Sequence, residues 1–294
     1  MAVGYEGLAI VDGVQLLCTG ASVSDSRQRL DSNSGWRGSF DNESPTFGMN
    51  VPRIYDYSIN DGTVSFEVGD GVIQLLKSWI LNRKVPKEII IYPCNGAFQR
   101  FSRCYWTSIE LSSDASSIVT GTINFMSMKR DQEVLGGSAY INNRNGLLNS
   151  LGLVDNFKYS WYIQNYGVVP GWRTTVRGLQ SNSSVDLKLG ITTWSLSFGQ
   201  EFTRYYTCEA NMSPQEATYL GVSAMTATLN TDIFVDNLTI DVNDTSNRVV
   251  IDIGGITSFT FTDIEVQEHS QNIVGQSDLT TIPVQYQIFG MSAA

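Results

Sequence analysis

The side chains that most often act as general bases or nucleophiles are sparse in this sequence. His269 is the single histidine, and it falls in the polar segment 267–272, which we predict to be a turn between two strands. A Ser-His-Asp hydrolase uses histidine as its general base, and no HExxH, GxSxG or phosphate-binding loop motif is present. The sequence therefore indicates neither a catalytic triad nor a P-loop nucleotide site.

Cysteine is the next candidate for chemistry. The four cysteines form no CxxC pair, and no histidine cluster stands beside them to complete a metal site; they are Cys18, Cys94, Cys104 and Cys208. A chain of 294 residues buries enough surface to fold without a disulfide or a metal. We interpret the four as reduced thiols, with disulfides as the alternative, and we expect no metal or cofactor.

Two glutamates lie in similar sequence contexts, and paired carboxylates are the machinery of glycosidases. Glu110 follows Ile109, and Glu265 follows Ile264, in two segments of alternating polarity. This alternation is typical of a half-exposed sheet whose other face is apolar. We therefore expect structural glutamates and a protein that is not an enzyme.

The segments that carry these glutamates belong to an internal repeat. Ile89–Met128 and Val249–Met291 each begin with β-branched residues, pass a glycine turn, enter an aromatic strand with Thr-x-Ile-Glu, and end in an alternating strand and a methionine. The simplest explanation is a duplicated β-rich unit. We predict two domains, residues 1–147 and residues 148–294.

Both copies share an irregular spacing of core residues. Trp106 and Ile109 are three positions apart, as are Phe261 and Ile264, so a strict period of two cannot place both members of a pair on one face. A shared β-bulge near Thr107-Ser108 and Thr262-Asp263 would bring both onto the core side. Ordinary irregularity is the alternative.

Other elements follow from local patterns. We predict hairpins at Asp12-Gly13 and at Asn60-Asp61-Gly62. Asp70 is the predicted N-cap of the best helix, which carries apolar residues at helical spacing and cannot continue past Pro86. Its apolar face should pack on the sheet of the first copy. The stretch between Val242 and Val249 contains no counterpart to this helix.

Loops and short elements fill the remainder. Thr19–Phe47 is rich in Ser, Asp and Asn, and we predict a long exposed arm there. Lys129–Ser160 is the predicted connector, in part helical. We also predict an exposed loop near Gln180, a short helix that starts at the capping box Ser213–Glu216, and strands over Ile233–Val242.

The charge is distributed unevenly between the two halves. Residues 1–147 hold 13 Lys+Arg and 15 Asp+Glu, whereas residues 148–294 hold 6 and 14. This acidity argues against ordinary nucleic-acid binding, which depends on Lys and Arg contacts to phosphates; solubility is the simpler explanation. The first residues lack the pattern of a signal peptide, and no apolar run is long enough to span a bilayer. We expect synthesis in a cytosol.

Taken together, these features resemble the tail tube proteins of bacteriophages. The specific cues are the strand endings TGTINFMSM and VQYQIFGM, the helix at Asp70–Leu81 before the sheet, and the Ser/Asp-rich segment after Cys18. The resemblance implies a mainly β fold with a few short helices (α+β), built as two tandem tail-tube-like β-sandwich or barrel units with a flanking helix. It rests on pattern and on no invariant motif.

The resemblance also implies a function and partners. It implies a structural virion protein that assembles in the host bacterial cytoplasm into stacked rings, forming a channel for DNA passage during ejection. Two fused units in one chain imply homotrimeric, pseudo-hexameric rings, with hexamers of the whole chain as the alternative. Other implied partners are the tape measure, baseplate and tail terminator proteins, and a sheath protein in a contractile tail, with no membrane anchor.

Residues are assigned on the same basis. We place Glu110, Asp252 and Glu265 at the lumen, opposite the apolar face of the repeated strands. DNA would pass them without sequence-specific binding. The inter-ring or inter-subunit contacts are expected in the polar arm, at Ser24, Asp25, Arg27, Arg29 and Asp31.

Two other functions agree with these features. A neighbouring tail protein of the same fold, such as a terminator or baseplate hub component, would form a single ring. A β-sandwich module that binds carbohydrate or a cell surface would present a concave aromatic patch.

Overall fold

The fold is taken from a computed structural model. It describes residues 8–29, 55–92, 98–131, 144–153, 167–179, 187–206, 218–222, 225–234, 248–269 and 281–292. Within these ranges, thirteen strands form one sheet and two more form a separate hairpin. The expectation of a mainly β fold with few helices is confirmed.

Six antiparallel strands close into the first barrel. Their order around it is β4-β1-β2-β3-β6-β5, and β5 pairs with β4 to complete the ring. The strands are β1 (Leu8–Val11), β2 (Val14–Arg29), β3 (Tyr55–Glu67), β4 (Lys87–Tyr92), β5 (Gln99–Asp114) and β6 (Thr120–Asp131). Closure leaves few exposed edges, which are the usual liability of β proteins.

The predicted helix is confirmed as α1 (Asp70–Leu81), between β3 and β4. Of the apolar residues at helical spacing, Ile73, Leu76 and Trp79 are fully buried in the main core. Trp106 Nε1 donates a hydrogen bond to the Trp79 carbonyl oxygen at 3.2 Å, which fixes the end of the helix on β5. The N-cap prediction was wrong by one residue, because Gly69 holds that position and no side chain caps the helix.

The second half repeats the barrel topology. Its strands are β7 (Thr175–Leu179), β8 (Leu187–Leu189), β9 (Ile191–Gly199), β12 (Thr226–Phe234), β13 (Arg248–Ile253), β14 (Thr257–His269) and β15 (Thr281–Ser292). Only Gly190 separates β8 from β9, and the two together correspond to β2. β8 pairs with β7 in the same way that the start of β2 pairs with β1. β9 pairs with β12 in the same way that the rest of β2 pairs with β3.

The remaining elements are short. The hairpin of β10 (Phe202–Tyr206) and β11 (Thr218–Val222) lies between β9 and β12. A 3-10 turn, Gly171–Arg173, precedes β7. The helix α2 (Arg144–Ser150) packs Leu147 and Leu148 on apolar residues of β1 and β4 in a second cluster. The boundary predicted at 147/148 thus falls inside α2, and the two-domain division stays a prediction.

One strand joins the two barrels. The first half of β5 pairs with β4, and its second half, Ser108–Asp114, pairs along the same edge with β9. Eight strands therefore form one continuous sheet in the order β2-β3-β6-β5-β9-β12-β15-β14. The main core is also continuous across this junction.

The structure corrects two predictions near the arm. The hairpin at Asp12-Gly13 is confirmed, with both residues at positive φ. Asn60-Asp61-Gly62 is not a turn: β3 passes straight through it, and Gly62 is required because a Cβ there would lie 2.3 Å from the Phe125 ring. Residues 19–29 of the predicted arm form no loop but extend β2, paired with β3. Residues 30–47 of that arm lie outside the described residues.

The predicted bulges have different forms in the two copies. In β5 the register against β6 shifts between Trp106 and Ser108, as expected. In β14 the register shift falls later, between Val266 and Glu268, so the bulge predicted at Thr262-Asp263 was wrong. Asp263 instead has a left-handed backbone with φ of 53°. The bulge in β5 and the left-handed residue in β14 each bring the aromatic residue and the isoleucine of their strand onto the core side.

The connector prediction was wrong at its start, because β6 continues to Asp131 before α2. The predicted strand over Ile233–Val242 begins earlier, in β12, and its remainder lies outside the described residues. So do the loop near Gln180 and the helix after Ser213. Among the residues described, no helix combines the length and the apolar composition needed to cross a bilayer.

Candidate functional site: a polar wall shared by both barrels

The eight-strand sheet is built in transverse rows that run through both barrels. One row of directly paired residues points into the cores: Ala21, Val64, Ile123, Ile109, Phe198, Ala227, Ile288 and Ile264. All except Ala21 are buried. The row gives the alignment of the halves directly, since Ile109 of the first barrel corresponds to Ile264 of the second.

The next row lies on the opposite face of the sheet, away from the cores. Its members are Gly20, Ser65, Thr122, Glu110, Ser197, Thr228, Gln287 and Glu265. Successive side chains of a strand alternate between faces, so the burial of the isoleucines places the glutamates outside. Glu110 and Glu265 are both exposed, and they hold equivalent positions four strands apart.

We name this sheet the shared wall and define it by its aligned segments: 17–24, 61–67, 120–126, 108–114, 193–199, 226–232, 283–289 and 263–267. These eight segments contain no Lys, Arg or His. Their acidic residues are Asp61, Glu67, Glu110, Asp114, Asp232, Asp263 and Glu265. The outer face of the shared wall is otherwise mainly Ser, Thr, Asn and Gln.

Hydrogen bonds between strands hold these short polar side chains in place. Thr63 Oγ1 donates to Asn124 Oδ1 and Asn124 Nδ2 donates to Ser108 Oγ, both at 2.6 Å, which links three strands. Asn230 Nδ2 donates to Ser195 Oγ at 3.2 Å in the second half. These bonds tie neighbouring strands together through side chains of the outer face.

Two carboxyl groups at one end of the shared wall have shifted pKa values. Burial raises the pKa of the Glu67 carboxyl above its ordinary value. Hydrogen bonds from the Ser116 hydroxyl and backbone amide lower the pKa of Asp114; both donors lie 2.7 Å from Asp114 Oδ1. The two pKa shifts have opposite signs, so the two carboxyl groups change the free energy of unfolding with pH in opposite directions.

The junction between the barrels has its own buried contact. Gln200 Nε2 donates to the Trp106 carbonyl oxygen at 2.6 Å, and Gln200 N donates to the Thr107 carbonyl oxygen at 2.9 Å. Gln200 is buried, and it binds the backbone at the β5 bulge. No motif in the sequence pointed to this residue; its position after Phe198-Gly199 at a strand end was the available signal.

An open groove of about 1120 Å³ lies at one end of the junction, between the β5–β6 turn and the first residues of β9 and β15. Its lining includes Asp114, Ser117, Asp232 and the two tryptophans Trp172 and Trp194. Trp172 is 70% exposed at the groove, whereas Trp194 is buried. The groove combines an exposed aromatic ring with hydroxyl and carboxylate groups.

The predicted site residues fall in different places. Glu110 and Glu265 both lie on the outer face of the shared wall, four strands apart. Asp252 is on β13, outside the eight strands, and its Oδ1 accepts a hydrogen bond of 2.8 Å from Gly255 N. The structure gives Asp252 a turn-capping contact and separates it from the two glutamates.

The predicted arm residues belong to strand β2. Ser24, Asp25, Arg27 and Arg29 are paired with residues of β3, and Ser24 Oγ donates to the Asp61 carbonyl oxygen. Asp31 lies outside the described residues. Their role in contacts between rings or subunits stays a prediction.

The histidine and the cysteines, which are the other residues that could take part in chemistry, do not form a common site in the described part of the chain. His269 is the last residue of β14 and pairs with Val284, so it belongs to a strand and not to the predicted turn. Burial raises the pKa of the Cys104 thiol to about 12, which keeps it protonated. Within the described ranges, no group of three or more His, Cys, Asp or Glu side chains is placed to hold a metal ion. Cys94 and Cys208 lie outside those ranges.

Comparisons with known proteins add likenesses of fold only. No protein-family model matches the sequence, and no curated protein matches it. One solved chain, from the cryo-EM structure of the anti-feeding prophage baseplate, is 14% identical with a TM-score of 0.32, over 41% of this chain and 91% of its own. Another, from the virion of a native gene transfer agent particle, is 9% identical with a TM-score of 0.31, over 42% and 98%. At these scores neither likeness identifies the function of the chain.

Proposed function

We propose that this chain is a structural virion protein that forms the phage tail tube, and that the outer face of the shared wall lines the channel for DNA. The observation that carries the proposal is the absence of Lys, Arg and His from all eight segments of the shared wall. An ordinary acidic surface interleaves both signs of charge. Eight aligned strand segments without any cation are a specific property of this face; the basic residues of the same strands, such as Arg103 of β5 and Lys129 of β6, lie outside these segments.

The electrostatics of a DNA channel account for that property. Each Lys or Arg that neutralises a phosphate releases counterions and adds affinity. A cationic lining would hold the genome in place, whereas a hydroxyl and amide lining with evenly spaced carboxylates repels DNA weakly and lets it slide. Glu110 and Glu265 supply those carboxylates at equivalent positions. Asp252 has no part in this lining, because it lies off the shared wall.

The dimensions of the sheet suit such a channel. Three chains with eight strands each provide 24 strands, and the strand spacing of about 4.8 Å gives a circumference of about 115 Å and a backbone diameter of about 37 Å. Tilting of the strands widens the ring further. This leaves room for the side chains and for a DNA duplex inside.

The partners follow from the same proposal. The chain assembles with itself into trimeric rings that stack into a tube in the host bacterial cytoplasm, and it meets tape measure, baseplate and tail terminator proteins in the virion. A sheath protein joins them if the tail is contractile. In this role the chain is not an enzyme.

Electron microscopy of the purified full-length protein tests the proposal. Stacked rings or long tubes of even bore support a tail tube. Single closed rings that never stack favour a terminator or baseplate hub component. Monomers that persist at high concentration contradict both assemblies.

One observation favours a second candidate function. The groove that contains exposed Trp172 offers an aromatic ring for stacking beside the hydroxyl and carboxylate groups of Ser117 and Asp232, as sugar-binding sites do. A carbohydrate-binding module predicts quenching of Trp172 fluorescence by a glycan and its loss in Trp172→Ala. A tail tube predicts no such quenching.

A further inference from the structure

The groove at the junction of the barrels is lined by acidic side chains without a basic one. Glu67, Asp114 and Asp232 belong to its lining, and none of the described residues that line it is Lys, Arg or His. Arg173, the nearest base along the chain, is exposed and is not part of that lining. We propose that this groove binds an extended segment of a partner protein that carries Arg or Lys side chains. This inference goes beyond the proposed function and does not rest on it.

Two of the carboxylates have a spacing that one such segment can match. Asp114 of β5 and Asp232 of β12 are both paired with Thr193 of β9, one on each side of it. Two strand spacings of about 4.8 Å separate their backbones by about 10 Å. Alternate residues of an extended segment point to the same side about 7 Å apart. Two long basic side chains at such positions therefore reach both carboxylates.

The carboxylates of the groove are held in place but are not neutralised. Asp114 Oδ1 accepts hydrogen bonds from the hydroxyl and backbone amide of Ser116, and Asp232 Oδ2 accepts one from the Thr193 hydroxyl. These donors carry no charge. Burial raises the pKa of the Glu67 carboxyl, as expected where a carboxylate loses water and gains no cation. A bound cation would supply the missing counter-charge through charge-assisted hydrogen bonds.

Trp172 supplies a flat surface beside these carboxylates. Its side chain is 70% exposed, and it belongs to the 3-10 turn whose Gly171 N donates to the Ser117 carbonyl oxygen at 2.7 Å. A Cβ at Gly171 would lie 1.9 Å from the Asp114 carbonyl oxygen, so the turn sits directly on the one that carries Asp114. Guanidinium and ammonium groups bind over the faces of tryptophan rings. The ring is therefore positioned for a cation before any ligand arrives.

Trp194 supplies a hydrogen-bond donor for the backbone of the segment. It lines the same groove and is only 4% exposed, and its Nε1 has no hydrogen-bond partner among the described residues. A buried donor without a partner costs free energy. A carbonyl oxygen of a bound peptide would satisfy it, which a simple cation cannot do.

The charges favour a basic polypeptide over the other occupants that fit the groove. A neutral sugar would use the ring and the hydroxyl groups, but it would leave three carboxylates without a counter-charge. A second copy of this chain carries a net charge of -10, so the two copies repel each other at long range. Complementary charge speeds encounter and excludes wrong partners. A separate partner with a basic segment meets both conditions.

Titration of the full-length protein with a defined peptide tests the proposal. The probe is acetyl-Arg-Ala-Arg-Ala-Arg-amide, and the same peptide with citrulline in place of arginine keeps the shape without the charge. Calorimetry gives the Kd, and tryptophan emission reports the groove. We expect saturable binding of the arginine peptide that weakens as salt is added. The citrulline peptide should bind at least about tenfold more weakly.

Three variants locate the binding. Asp232→Asn keeps the shape of the side chain and should weaken binding about tenfold, since hydrogen bonds to charged groups are the stronger kind. Trp172→Ala, at an exposed position, should weaken binding about two- to fivefold and abolish the change in emission. Asp263→Asn removes the same charge from an exposed position outside the groove, and it should leave the Kd unchanged.

The other outcomes overturn the proposal. An equal Kd for all three variants would show attraction to the overall acidity of the chain. Equal binding of the two peptides, or binding of neither, would remove the role of charge. Maltoheptaose that quenches Trp172 where the arginine peptide does not would make the groove a sugar site. A peptide that separates assembled protein into monomers would place a second copy in the groove. Tube formation is measured separately in the microscope, so each result leaves the proposed function open to its own test.

Discussion

Glu110 of the first barrel and Glu265 of the second occupy the same position in the shared wall. Each follows a buried isoleucine, and each is opposite a polar residue of the adjoining strand, Thr122 for Glu110 and Gln287 for Glu265. The two corresponding strands thus each place an exposed carboxylate within segments that contain no cation.

If the outer face of the shared wall lines a DNA channel, as proposed, placing a cation at these positions should make that channel bind DNA. We expect tubes of Glu110→Lys or Glu265→Lys to retain duplex DNA, with the slope of log affinity against log salt steepened by up to about 0.9 for each lysine that contacts a phosphate. DNA binding to preassembled tubes over a salt series measures this. Gln74→Lys, on the exposed side of α1, is the control: it adds a lysine away from the shared wall, with a charge change of +1 against +2 for each glutamate variant. Equal retention by all three variants would contradict a lumenal position for the glutamates.

Gln200 should contribute strongly to the stability of the junction between the barrels. Gln200→Ala leaves the buried Trp106 carbonyl without its side-chain donor, which should cost about 1–3 kcal/mol in the free energy of unfolding. Denaturant unfolding measures the loss. Gln287→Ala, which removes a longer hydrogen bond of 3.3 Å to the Ala227 carbonyl, should cost less. If the two variants were equally stable, the junction would not depend on Gln200.

Gly62 should tolerate no side chain. Gly62→Ala places a methyl group against the Phe125 ring, and overpacking of this kind costs about 1–3 kcal/mol. Thermal unfolding should show a lower Tm for Gly62→Ala but not for Gly20→Ala, where the space is open. Phe125→Leu in the same chain should restore part of the loss. A turn at Gly62 would predict no rescue.

Glu67 should make stability fall as the pH rises. Its folded pKa is raised above the ordinary value of 4.5 by burial, so the folded state binds the proton more readily, and stability is lost between that value and the folded pKa. Glu67→Gln should therefore have a modestly higher Tm than the parent at pH 7 and no advantage below about pH 4. Thermal unfolding from pH 3 to pH 7 checks this. A constant difference over the range would contradict it.

Asp114 should behave in the opposite way. Its pKa is lowered by hydrogen bonds from Ser116, so its contribution is present at neutral pH and is lost as the pH falls through the folded pKa. Asp114→Asn should have a slightly lower Tm than the parent at pH 7, and the difference should be smaller at pH 3, below the ordinary pKa of 3.8. A variant unaffected at either pH would show that the β5–β6 turn does not need the carboxylate.

The local patterns of the sequence predicted the elements that depend on neighbours along the chain. The bounds of α1, the turn at Asp12-Gly13 and the repeat around Ile109 and Ile264 all follow from spacing, because periodicity and turn chemistry act over a few residues. The alternation of Ile and Glu also placed both glutamates on the polar face. The outward position of these two glutamates is the part of the candidate site that can be predicted from local sequence patterns.

The remainder depends on contacts between distant segments. Gly62 resembles a turn residue, and only the Phe125 ring on the neighbouring strand explains why it lies inside β3. The role of Gln200 requires the β5 bulge, 94 positions away in the sequence. Asp252 has the right alternation for the polar face, but β13 lies outside the shared wall. Pairing partners decide these assignments, and periodicity carries no information about them.

A cryo-EM reconstruction of the assembled protein tests the central claim most directly. The account predicts a tube whose inner surface is the outer face of the shared wall, with Glu110 and Glu265 of every copy exposed to the bore at one level. A reconstruction in which these side chains are buried between units, or turned to the outside of the tube, would contradict it.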